Sequence, residues 1–120
     1  MSLADVKPGV SIDIDSQEER QTILHCSISQ DTTNLLLRIW PTTYLRDAQS
    51  GKLSKIITAY NISFHPLWTP AVDNHIFTLI FEGLPKSCTS FDLIEKIPQS
   101  GGFYVPGISR NTSDVYRISV

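Results

Sequence analysis

Phe77-Thr-Leu-Ile-Phe-Glu-Gly-Leu-Pro-Lys-Ser-Cys-Thr-Ser-Phe-Asp-Leu-Ile-Glu95 contains two apolar runs separated by a short connection marked by Gly and Pro, and its spacing predicts β-strands. Phe77, Leu79 and Phe81 recur at every second residue, so they share one face of a pleated strand, and Phe91 and Leu93 do the same on the next.

The same reading extends in both directions along the chain. Val10 to Asp15 alternates apolar and polar residues, and Leu24, Cys26 and Ile28 share a face within Thr22 to Ser29. In Leu35 to Trp40, Leu35, Leu37 and Ile39 oppose Leu36, Arg38 and Trp40, which predicts a central strand ended by Pro41. Thr42 to Arg46 and Leu53 to Tyr60 flank Asp47-Ala-Gln-Ser-Gly51, a hairpin in which Gly51 supplies a positive φ. A helix over Leu45 to Tyr60 would carry Gly51 at its centre, at a cost of about 1 kcal/mol relative to alanine. Asn61 to His65, Phe103 to Val105 and Val115 to Val120 complete the strands, and Pro66 to His75 is the longest irregular connection. The expectation is a single all-β domain over residues 1–120, an antiparallel sandwich or barrel of roughly eight to ten short strands.

Composition narrows the function. With 120 residues and 41% hydrophobic side chains, one packed core is expected. The formal net charge of -2 and the scattered basic residues offer no field for a phosphate backbone, so nucleic acid is not expected as a partner. No apolar run approaches the roughly 20 residues of a membrane span. The opening residues show no signal-peptide pattern, so the chain as written reads as cytoplasmic, or as envelope or extracellular if a leader has been removed; Met1-Ser2-Leu3 can be a cloning remnant.

Each chemical grouping in the sequence also has an ordinary structural reading. Cys26, Trp40 and Cys88 approach the cysteine–tryptophan–cysteine spacing of an immunoglobulin core. However, Lys86 stands where a tyrosine belongs, and two unbonded cysteines fit better. His25, His65 and His75 lack metal-ligand spacing, so no metal or cofactor is expected. Asp13, Asp15, Glu18 and Glu19 lack the glycine of a calcium loop and read as a solvated face. Ser87, Cys88 and Ser90 stand in no nucleophile motif, and the chain is not expected to be an enzyme. Asn61-Ile-Ser63 and Asn111-Thr-Ser113 match the glycosylation tripeptide. Recognition falls to the aromatic residues: Trp68 between Pro66 and Pro70, with Tyr44 and Trp40, and Asp73 and Asn74 as polar neighbours.

Ile76 to Lys86, followed by Ser90-Phe-Asp-Leu-Ile-Glu95 and Gly102-Phe-Tyr-Val-Pro-Gly-Ile108, resembles immunoglobulin-like β-sandwich modules of bacterial, often cell-envelope, proteins over roughly residues 57–108. The resemblance implies a non-enzymatic accessory, ligand-binding or assembly domain. The strand pattern itself leaves a sheet edge or the Trp68 loop for a protein partner, and edge pairing would also allow a homodimer. The alternative reading is a carbohydrate-binding domain using the exposed aromatic residues. No functional residue follows from the resemblance itself.

Overall fold

The computed structural model describes residues 20–120. The expected strand at Val10 to Asp15 and the acidic group Asp13, Asp15, Glu18 and Glu19 lie outside that range. Among the described residues the chain is all-β, with ten strands and no helix. They are β1 (Thr22–Ser27), β2 (Leu36–Ile39), β3 (Thr43–Asp47), β4 (Leu53–Tyr60), β5 (Ser63–Phe64), β6 (Thr69–Pro70), β7 (Ile76–Phe81), β8 (Ser90–Glu95), β9 (Tyr104–Ser109) and β10 (Val115–Ser119).

Seven strands form one sheet in the order β10-β1-β7-β4-β3-β8-β9, and three form a second in the order β5-β2-β6. Both are mixed rather than antiparallel throughout, because β10 runs parallel to β1 and β5 parallel to β2. The reason for the first is local. The Ile23 amide donates to the Asp114 carbonyl at 2.9 Å, and Arg20 is ion-paired to the Asp114 carboxylate at 2.8 Å. Two strands leaving one pinned point in the same direction pair in parallel.

The large sheet bends at β4. Its first residues pair with β3 and its later ones with β7, with a register shift between Ile56 and Thr58; such bulges increase local twist and let one strand serve two directions. The curl brings together strands that are far apart in sheet order. Phe91 of β8 meets Tyr116 of β10 edge-on, with ring centroids 5.0 Å apart. The stretch from Phe77 to Glu95 is therefore not a hairpin: β7 pairs with β1 and β4, whereas β8 pairs with β3 and β9.

The alternation read from sequence gives the core directly. Leu24, Phe77, Leu79, Phe81, Phe91 and Leu93 are fully buried, joined by Leu45 from β3 and Ile39 from β2. Burying a large apolar side chain is worth about 1.5–3 kcal/mol, so this row supplies much of the driving force. The β3–β4 hairpin closes as predicted, with Gly51 at φ 76°. Buried Asp47 caps it, accepting from the Gln49 amide at 3.1 Å and the Ser50 hydroxyl at 2.7 Å.

Candidate functional site

The small sheet builds the site. β2 pairs with β6 so that Leu36 faces Pro70 and Leu37 faces Thr69; one step further along this antiparallel register, Arg38 lies across from Trp68. Arg38 and Trp40 are two residues apart and share the face opposite the buried Leu37 and Ile39. The Arg38 guanidinium accordingly sits 3.9 Å from the Trp68 ring centroid and 5.7 Å from that of Trp40. Trp40 in turn stacks on His65, with centroids 3.7 Å apart and planes 22° from parallel.

This aromatic and cationic row forms one side of a groove of about 260 Å3. Leu35 and Leu36 also line it, as do Ile97, Gln99, Ser100 and Phe103 of the β8–β9 connection, which form its other wall. Trp68 is 49% exposed and Leu36 50%. The two walls are tied together by Glu95. Its Oε2 accepts from the Trp40 amide at 2.9 Å and its Oε1 from the Phe103 amide at 3.1 Å. Gly102 lies so close to this strand that an added Cβ would collide with the Glu95 carbonyl oxygen.

Of the residues predicted for recognition, the fold brings Trp40 and Trp68 together and places the others elsewhere. Tyr44 is on β3 opposite Lys55 and Ile94, on the outer face. The Asp73 carboxylate accepts from the Thr32 hydroxyl at 3.4 Å, and Asn74 occupies a turn at φ 55°. Neither lines the groove. Arg38 and Glu95 were missed. Their only signals were the position of Arg38 between Leu36 and Trp40 on the polar side of a strand, and the register that buries Glu95 two residues after Leu93.

The remaining candidates have structural work. His75 is buried, taking the Val72 amide on Nδ1 at 3.2 Å and facing the Asn61 carbonyl from Nε2 at 2.7 Å. His25 Nδ1 is 2.8 Å from the Thr78 hydroxyl. No three His, Cys, Asp or Glu side chains among the described residues gather as metal ligands. Cys26 and Cys88 are both free and buried. Burial pushes the Cys26 thiol up to about 12. Burial followed by the nearby Asp47 charge pushes Cys88 up to about 11, so neither is poised as a thiolate nucleophile. The amides of Asn61 and Asn111 donate to the Ile76 and Val115 carbonyls.

A second polar cluster sits at the β9–β10 turn. Arg20, Arg110 and Tyr116 all donate to the carboxylate of Asp114, which is 1% exposed. Arg110 also reaches the Pro85 carbonyl. No known protein family matches this sequence, and no curated protein or solved structure matches it either.

Proposed function

We propose that the protein is a non-catalytic binding module on an immunoglobulin-like β-sandwich, with the Trp40–Arg38–Trp68 groove as its recognition surface. The observation that carries this is the half-exposed Trp68 ring held by Arg38 at 3.9 Å beside a groove of about 260 Å3. A large aromatic side chain left half in water, on a rigid two-strand platform, is a preorganised contact for a ring or an apolar group. The volume lies just below the roughly 300–1,000 Å3 of pockets that enclose whole small molecules, which suits one residue of a longer ligand. Binding is favoured over catalysis because Glu95, the one acid among the described residues that line the groove, has both oxygens occupied by backbone amides.

Tryptophan fluorescence titration tests the reading, with wild type and Trp68→Ala run against soluble glycans and a peptide library. Saturable changes in wild type that Trp68→Ala abolishes are expected. Ligands that bind both proteins equally would move the site away from this groove.

A second reading, assembly through a sheet edge, is favoured by the contrast between the two edges of the large sheet. β9 carries Pro106 and a register shift between Phe91 and Leu93 on its partner strand. β10 pairs in unbroken register with β1 and is the other end strand among the described residues. A regular edge that no described strand covers can accept a further strand. A sedimentation profile that stays monomeric into the high micromolar range would remove the homodimer form of this reading.

A further inference from the structure

We infer that Arg38 is a carboxylate anchor and that the groove takes an acidic saccharide, with the carboxylate of a uronic-acid residue on the guanidinium and its ring against Trp68. The inference rests on the groove being the recognition surface, as proposed above.

Of the five arginines, Arg38 and Arg117 have no carboxylate partner among the described residues, and of these two only Arg38 lines the groove. Arg20, Arg46 and Arg110 each have a carboxylate at 2.8–3.0 Å. Arg38 has no ion-pair partner among the described residues, and its guanidinium lies over two indoles instead. Stacking satisfies the π-face of a guanidinium but leaves its in-plane N–H groups available, and those form the fork that matches a carboxylate. Glu95, the acid in the same groove, does not compete for them. Both of its oxygens are filled by the Trp40 and Phe103 amides. The charged donors left for a ligand are therefore those of Arg38.

The kind of anion follows from what surrounds it. Among the described residues no lysine and no second arginine lines the groove, so these residues would only half neutralise a phosphate dianion, whereas one carboxylate matches one guanidinium. Gln30, Gln99 and Ser100 on the rim can both donate and accept, as ring hydroxyls require. Arg38 covers one face of the Trp68 ring, so a pyranose C–H face would rest on the exposed remainder of that indole, beside the guanidinium. An acidic peptide would satisfy the guanidinium but would leave this amide-rich rim without a matching set of hydroxyls.

The test is an array of uronate and sialic-acid oligosaccharides beside their neutral counterparts and acidic peptides, followed by fluorescence titration of hits. Wild type, Arg38→Met, Arg38→Lys and Trp68→Ala are compared, with melting curves to confirm folding. Acidic saccharides are expected to bind about tenfold or more tightly than neutral ones, as befits a charge-assisted fork. Arg38→Met should erase that preference, Arg38→Lys should restore only part of it, and Trp68→Ala should weaken acidic and neutral sugars alike. Neutral sugars binding as well as acidic ones, with Trp68→Ala still disruptive, would overturn the anchor and leave the groove reading standing. Acidic peptides binding best would overturn the saccharide. No binding by any probe would count against both proposals.

Discussion

Two arginine clusters in this molecule use the same side chain in opposite ways. At the β9–β10 turn, Arg20 and Arg110 converge with the Tyr116 hydroxyl on one buried carboxylate, at distances of 2.8–3.2 Å. In the small sheet, Arg38 lies on tryptophan rings with no carboxylate partner among the described residues. The first cluster is closed: both guanidiniums share the one buried Asp114 carboxylate, and its effect is to pin β10 beside β1. The second is open toward a groove. The difference separates an arginine that serves folding from one left available for recognition, and it can be broken from either side.

The largest effect is expected at Asp114. Replacing it with alanine leaves Arg110, only 13% exposed, without its counter-charge and removes the acceptor for Tyr116. Breaking one side of a buried ion pair costs about 3–5 kcal/mol, which chemical denaturation should register as a large drop in midpoint. The same cluster sets an acid limb. Burial alone would raise the Asp114 carboxyl, but hydrogen bonds from Arg110, Tyr116 and Arg20 outweigh it and hold the group below the ordinary carboxylate range. A carboxyl lowered in the folded state contributes stability that is fully present above its unfolded value near ~4 and is lost as pH falls through the folded value. The melting temperature should therefore hold down to about pH 5 and then fall. In Asp114→Asn the fall should be shallower but not absent. Asp92, lowered first by the Gly107 amide, and Asp47, lowered by Ser50 and Gln49 against its burial, titrate in the same direction.

The next effect sharpens the contrast by testing what holds the open cluster in shape. Glu95→Ala orphans the amides of Trp40 and Phe103 at once. Both bonds are only part-buried, so water can reach the freed amides and the loss on denaturation should be about 1–3 kcal/mol in all, rather than that for each donor. The indole emission should also shift as the wall carrying Trp40 relaxes. Gly102→Ala perturbs the opposite wall, the β8–β9 connection, without removing any polar group. Its methyl would collide with the Glu95 carbonyl oxygen, so the β8–β9 connection must move. Ligand affinity should fall more in this variant than stability does.

Much of this architecture was legible in the chain, for one physical reason. Alternation at period two decides which face is buried, so Phe77, Leu79, Phe81, Phe91 and Leu93 could be assigned to the core from spacing alone. Gly51 and Pro41 announced their turns through backbone chemistry that no tertiary contact overrides. Pairing was not legible. Nothing in the residues of β10 states that they lie parallel to β1, because that follows from Asp114 meeting Arg20, 94 positions away in the chain. The site was half legible for the same reason. The face shared by Leu36, Arg38 and Trp40 is a local property of one strand. Bringing Trp68 over Arg38 needs the β2–β6 register, and without it Tyr44, Asp73 and Asn74 had equal standing as neighbours.

The smallest effect on stability is expected where recognition is proposed. Arg38→Met keeps an unbranched side chain over Trp68, so the variant loses the cation–π attraction and little contact area. At an exposed site that attraction is about 0.5–1 kcal/mol, and no ion pair with a described residue is broken. The denaturation midpoint should therefore move only slightly, far less than for Asp114→Ala, even though both substitutions alter an arginine cluster. A large destabilisation by Arg38→Met would mean that the stacked row is structural glue between β2 and β6, and the difference between a closed and an open cluster would disappear. A small one, with the fluorescence of Trp68 changed, would leave the Arg38 fork as the part of the row whose role has to be found in a ligand.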